Sequence, residues 1–154
     1  MKIRKYKDAD FLQVCGLIHS TYSRFCAKES SRIASKRYLD KFDVNKDVSR
    51  LRVRYNNSKI VFVCEEAERI VGVVMGDYGK LVNLYVLEKF HKRGIAKKLY
   101  LKFEKENLKN NVFEIKLGAT AYAALFYEKM GFKKTTGKRS FRGLSYQPMK
   151  KVLN

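Results

Sequence analysis

A chain of 154 residues that is 45% hydrophobic and 13% aromatic has ample apolar surface to bury a core, which excludes a disordered polypeptide. The formal charge of +19, from 34 Lys and Arg against 15 Asp and Glu, attracts polyanions. Three readings of that charge stay open: a nucleic-acid partner, a phosphorylated cofactor, or lysines that are merely solvated.

In chain order, Ile3 to Tyr6 alternates as an edge strand, and Asp8 is placed to cap the helix that follows. Phe11, Val14, Cys15, Ile18, Tyr22 and Phe25 then recur at helical spacing. Ser30 or Ser31 caps a second helix through Ile33, Leu39 and Phe42, and Val44, Val48, Leu51 and Tyr55 continue it or form a third. Lys59 to Glu65 and Arg69 to Asp77 read as a hairpin across Glu66-Ala67-Glu68. After a turn at Tyr78-Gly79, Leu81 to Leu87 is a buried strand. Gly94 opens a helix to about Lys109, Val112 to Leu117 is a strand, and Ala121 to Met130 is a helix with Gly131 past its end. Phe132 to Thr135 and Tyr146 to Leu153 close the chain as strands around a Gly- and Arg-containing loop. The order predicts a mixed α/β (α+β) fold with a largely antiparallel sheet. No repeat or linker divides it, so residues 1–154 are expected to form one domain.

Cys15, Cys26 and Cys64 are odd in number and form no C-x-x-C pair, so a reducing compartment is expected. No stretch approaches the roughly 20 apolar residues of a membrane span, and Met1 to Lys5 opens no signal-like run. A cytoplasmic protein away from membranes, monomer or homodimer, is the expectation, and no metal-ligand pattern is present.

The informative stretch runs from Leu81 to Leu99: a strand, a basic loop, and a helix that begins at a glycine. N–H groups at a helix start have no intrahelical partner and carry the positive end of the dipole. With Lys92, Arg93 and Lys97 alongside Gly94 and the small Ala96, this is a phosphate-binding arrangement. An ordinary strand-to-helix turn with solvated lysines is the alternative. Neither the P-loop pattern nor the dinucleotide G-x-G-x-x-G is present.

His91-Lys-Arg-Gly94-Ile-Ala96 resembles motif A of the GNAT superfamily, Gln/Arg-x-x-Gly-x-Gly/Ala, with His91 in place of the first residue. Phe126-Tyr127-Glu128-Lys129-Met130-Gly131-Phe132 is similar to the motif B helix and its end, and Gln147 to Leu153 to the last strand. The resemblance covers about Ile60 to Leu153. It implies a splayed sheet and acetyl transfer from acetyl-coenzyme A to an amine by direct attack in a ternary complex. It further implies that the main chain of Leu84, Tyr85 and Val86 takes the pantetheine arm and that the turn around His91, Lys92, Arg93, Gly94, Ile95, Ala96 and Lys97 takes the pyrophosphate. Tyr127 is then the general acid, and Cys26 to Tyr55 with Lys138 to Gly143 line the amine side. The acceptor is an amine-bearing small molecule or a protein or peptide. A basic RNA- or ribosome-associated module without turnover is the competing reading, with nucleic acid the less favoured partner. The general base is not visible: Asp77, Glu65 and Glu66 read better as exposed hairpin carboxylates, and Lys80 stands where relatives carry a glutamate. His19 reads as a structural helix residue.

Overall fold

The computed structural model describes all residues, 1–154. Its strands are β1 (Lys2–Lys5), β2 (Ile60–Glu66), β3 (Arg69–Asp77), β4 (Lys80–Val86), β5 (Glu114–Ala119), β6 (Lys133–Lys134), β7 (Arg139–Phe141) and β8 (Leu144–Val152). Its helices are α1 (Phe11–Phe25), α2 (Arg32–Asp40), α3 (Ser49–Asn57), α4 (Ile95–Lys109) and α5 (Ala121–Lys129).

Asp8 is not the cap of α1. Its carboxylate accepts from the Arg52 guanidinium at 2.8 and 2.6 Å and from Asn56 at 2.8 Å, tying α3 to the start of the chain. A bidentate guanidinium contact outcompetes a single main-chain cap. Asp10 turns inward instead, accepting from the Lys7 N–H at 2.8 Å and from Arg4 at 2.8 and 2.9 Å. Ser31 does cap α2, its hydroxyl accepting from the Ala34 N–H at 3.1 Å. α3 begins at Ser49, leaving Val44 outside in a turn.

The sheet runs β1-β2-β3-β4-β5-β8-β6, with β7 paired to β8. The β2–β3 connection is the predicted hairpin, with Ala67 and Glu68 both at positive φ, 48° and 63°. Such values match the twist of the flanking strands. β7 was not foreseen: Arg142 and Gly143, at φ 49° and 84°, turn it tightly into β8. Every pairing is antiparallel except β4 with β5, which is parallel and held at the single register pair Lys80–Lys116. A bulge between Met75 and Gly76 bends β3 beside the start of β4.

The sheet buries both faces. α4 and α5 cover one, through a core that includes Val74, Leu99, Phe103, Ile115, Tyr127 and Met149. α1 and α3 cover the other, where Phe11, Val14, Ile18 and Tyr55 meet Val73 and Met75. β4 therefore stands with helices on both sides and a strand on only one edge along most of its length. That placement defines the site.

Candidate active-site cleft

Beyond Lys80 and Lys116, β4 and β5 part and enclose a cleft of about 690 Å³. Leu84, Tyr85 and Val86 line one wall, and Gly118, Ala119, Thr120 and α5 line the other. The Leu87 N–H bonds the Val71 carbonyl on β3 at 2.9 Å. Main-chain groups alternate in direction along a strand, so Tyr85 also faces β3 while Leu84 and Val86 present theirs to the cleft. The Tyr85 side chain packs on the α1 face, its hydroxyl 3.0 Å from that of Tyr38.

The turn from β4 to α4 carries the second feature. Lys92 and Gly94 both hold positive φ, 60° and 75°. The consecutive main-chain N–H groups from Lys92 to Lys97 find no acceptor in the protein; the first helical bond is Lys98 N–H to the Gly94 carbonyl at 3.0 Å. Such a row at a helix start is an anion-binding concavity. A Cβ added at Gly94 meets nothing within 4 Å, so glycine supplies the left-handed conformation there rather than room. Lys92, Gly94, Ile95, Ala96 and Lys97 line the cleft. Arg93 does not; its guanidinium lies over the Phe90 ring at 4.9 Å. His91 is turned toward the strand, with Nε2 donating to the Val86 carbonyl at 2.6 Å. Its ring also meets Phe25 at 5.2 Å, and Phe25 stacks on Tyr122 at 4.8 Å.

α5 starts under a different constraint. Glu29 accepts from the Ala121 and Tyr122 N–H groups at 2.5 and 3.2 Å, and the Thr120 hydroxyl accepts from the Ala123 N–H at 3.2 Å. Its first turn is thus closed by the protein's own acid, leaving the start of α4 as the open anion site of the two. At its far end the Phe132 N–H bonds the Tyr127 carbonyl and the Gly131 N–H bonds that of Glu128, both at 3.0 Å, with Gly131 at φ 96°. This is a Schellman ending, and the accompanying apolar contact is Phe132 on Tyr127, ring to ring at 5.5 Å. The glycine that ends the helix therefore also clamps Tyr127. The Tyr127 side chain is 6% exposed and lines the cleft, and burial pushes its phenol well above the ordinary value of 10.0. Its hydroxyl has no hydrogen-bond partner in the protein.

No carboxylate lines the cleft. Asp77 accepts from Arg54 and from the Lys59 N–H, both at 3.0 Å, and Glu65 bonds Arg4. His19 is not among the lining residues. Of the segment expected on the amine side, Cys26 lines the cleft and Ser31 meets Gly143, whereas Tyr55 is buried against α1 with its hydroxyl on Asn83 at 2.9 Å. Among the polar lining residues, Thr21, Thr120 and Tyr122 were not singled out as site residues in the sequence. The polar Thr21 within the apolar stripe of α1 and Thr120 as a cap before α5 are the signals that mark them.

A family model described as an acetyltransferase (GNAT) domain matches residues 26–153, and the chain belongs to that family. No curated protein sequence matches it. Among solved structures, it is similar to a GCN5-related N-acetyltransferase, "Aminotransferase, Class-II", from Rhodopseudomonas palustris, with 18% identity over 99% of this chain and 95% of that one and a TM-score of 0.87. It is also similar to PaiA N-acetyltransferase from Thermoplasma acidophilum, solved in complex with coenzyme A, with 21% identity, 98% of each chain and a TM-score of 0.74. An aminoglycoside 6'-N-acetyltransferase complexed with coenzyme A shares 18% identity over 99% of this chain and 97% of that one, at a TM-score of 0.73. No helix is long and apolar enough to cross a membrane.

Proposed function

We propose that the chain, as one domain over residues 1–154, transfers an acetyl group from acetyl-coenzyme A to an amine. The observation that supports this most directly is the joining, in one cleft, of an unpaired strand edge to a row of free N–H groups at a helix start. A pantetheine arm has amides that pair as an added strand does, and Leu84 and Val86 offer main-chain groups to it. The N–H groups from Lys92 to Lys97 suit the pyrophosphate, with Lys92 and Lys97 adding charge. An N–H of the same strand takes the acetyl carbonyl, where it stabilises developing negative charge. The amine attacks that carbonyl directly: the C–N bond forms, the C–S bond breaks, and the Tyr127 phenol donates its proton to the departing sulfur. The amine's surplus proton passes to water, since no carboxylate lines the cleft. The three free, buried cysteines suit a reducing, cytoplasmic setting. The RNA-binding reading without turnover has no support in the comparisons.

The test is thiol release from acetyl-coenzyme A across an amine panel, alongside thermal unfolding with coenzyme A. A ligand at a hundred times its Kd adds about 2.7 kcal/mol, which for a chain of this size raises Tm by about 5–10 °C. No shift in Tm together with no thiol release from any amine refutes the proposal.

A further inference from the structure

The cleft opens on both faces of the sheet: α4 and α5 line it on one, and Thr21 of α1 with Cys26 just past its end line it on the other. The anion-binding turn belongs to the α4 side. On the acetyltransferase reading, that leaves the α1 side for the acceptor.

The acids closest to that side are already engaged, and Asp43 and Asp47, which bond only the N–H groups of Asn45 and Ser49, lie beyond in the α2–α3 connection. Glu29 is committed to the start of α5, Glu88 faces Arg24 at 3.7 Å, and Asp40 is held by Lys36 and Lys46 at 2.9 and 2.8 Å. The carboxylates without a cationic or N–H partner are Glu66, Glu68 and Glu106, at the β2–β3 turn and on α4. The mouth is basic instead. The β7–β8 hairpin folds onto the start of α2: the Ser31 N–H donates to the Gly143 carbonyl at 3.3 Å, and the Ser145 N–H to the Ser30 hydroxyl at 2.8 Å. A Cβ at Gly143 would come within 2.8 Å of Ser31 Oγ, so the approach is close. It sets the segment with Lys28 and Arg32 against the hairpin with Lys138, Arg139 and Arg142; all five side chains are exposed and none has an acidic partner. Glu29, in that same segment, reaches α5, so this rim adjoins the cleft wall. Thr21 gives an independent sign of a polar ligand. It is 6% exposed, lines the cleft, and carries the one buried side-chain oxygen left without a partner.

Resting on the acetyltransferase reading, we propose that the acceptor is an acidic peptide segment, its amine entering past Thr21 and its carboxylates lying on the rim formed by Lys28, Arg32, Lys138, Arg139 and Arg142. Opposite charge across such a surface speeds encounter and sets orientation, and like charge rejects polyamines and aminoglycosides. A rim that extends outside the cleft suits a chain better than a metabolite. The exocyclic amines of nucleobases are delocalised and weakly nucleophilic, which argues against a nucleic acid as acceptor.

The experiment uses the full chain with acetyl-coenzyme A and peptides of equal length with free N-termini, one Glu- and Asp-rich, one neutral and one Arg-rich, with spermidine and free glutamate alongside. The acidic peptide should show kcat/KM about tenfold or more above the Arg-rich peptide, with the gap closing as salt rises. Arg139→Glu with Arg142→Glu, or Lys28→Glu with Arg32→Glu, should raise the KM for the acidic peptide and leave coenzyme A affinity by calorimetry unchanged. The same charge change at Lys105 and Lys109, exposed on the last turns of α4, should leave that KM alone. Preference for the Arg-rich peptide or spermidine, glutamate used as well as the acidic peptide, an equal effect of the α4 reversals, or coenzyme A binding with no peptide acetylated each overturns the inference. Absence of coenzyme A binding refutes the acetyltransferase reading itself.

Discussion

Replacing Tyr127 by Phe removes an oxygen that no protein group binds and keeps the ring contacts to Phe126 at 5.3 Å and Phe132 at 5.5 Å. With no hydrogen bond to a protein group lost, stability should stay within about 0.5 kcal/mol, or about 2 °C in Tm. Turnover should fall about 10²- to 10⁴-fold if the phenol is the general acid, a barrier change of about 2.7–5.4 kcal/mol. The two magnitudes differ by several-fold, so one variant separates packing from chemistry. Single-turnover acetyl transfer, in which the chemical step limits the rate, is the assay, with coenzyme A affinity measured in parallel and expected unchanged. Burial raises the phenol above its ordinary 10.0, so the protonated donor persists through neutral and mildly alkaline pH. A group raised in this way stabilises the fold fully below its unfolded value. That contribution is lost as pH climbs from about 10 toward the folded value. Turnover should therefore show no alkaline limb from Tyr127 below about pH 10, and the variant should lose stability less steeply above it. Near wild-type single-turnover rates in a folded Tyr127→Phe protein would remove Tyr127 from the chemistry.

Ala96→Asp places a carboxylate in the first turn of α4, which favours the helix by about 0.3–1 kcal/mol; Tm should hold or rise while calorimetry shows coenzyme A affinity reduced about tenfold or more, and unchanged affinity counts against the anion turn. Gly94→Ala meets open space but must hold φ 75°; it should cost about 1–2 kcal/mol in chemical unfolding, and a neutral result would mean the turn relaxes. Asp10→Ala leaves Arg4 with Glu65 as its one remaining carboxylate and removes the acceptor of the Lys7 N–H, which should cost about 1–3 kcal/mol. Burial raises the Asp10 pKa, but the Arg4 and Lys7 hydrogen bonds outweigh it and hold the value below 3.8. Its stabilisation is thus complete above that pH and lost on acidification through the lowered value, so the variant's acid unfolding curve should lack that step. Glu29→Ala frees the first N–H groups of α5 and should lower Tm by about 2–4 °C, for about 1 kcal/mol.

Much of this was legible in the chain because local signals agreed. The stripe of α1 and the Gly131 ending each had a clear residue pattern, and the hairpin across Glu66-Ala67-Glu68 was readable from its two flanking β-type runs, though not from its turn residues. The misreadings arose where distant partners decided. Asp8 looks like a cap until Arg52, far along the chain, claims its carboxylate. β7 has the run Arg-Ser-Phe, which carries no alternation worth reading, and is formed by its pairing with β8 across the Arg142-Gly143 turn. Lys92 in a left-handed conformation has no marker at all, though it sets half of the anion turn. At the site, the glycine and tyrosine positions were readable as motif residues. The missing base was equally visible: Lys80 stands where relatives carry a glutamate, the nearby Asp77 reads as a hairpin carboxylate, and no acid lines the cleft in the fold. The basic loop at Lys138 to Arg142 was indistinguishable from solvated charge until the hairpin placed it over α2.

The gap in the middle of the sheet also bears on self-association. An unpaired strand edge is a template for any extended chain, including another copy of this one. Here the exposed stretch is short, recessed between α4 and α5, and partly masked: His91 already occupies the Val86 carbonyl at 2.6 Å. The histidine that departs from the family pattern thus partly masks the edge, leaving the Val86 carbonyl one further lone pair for an extended ligand. A chain with the cleft filled has no such edge to offer. Loading should accordingly slow aggregation on storage or heating by more than its effect on Tm accounts for, and His91→Ala should make the unliganded protein the more aggregation-prone of the two.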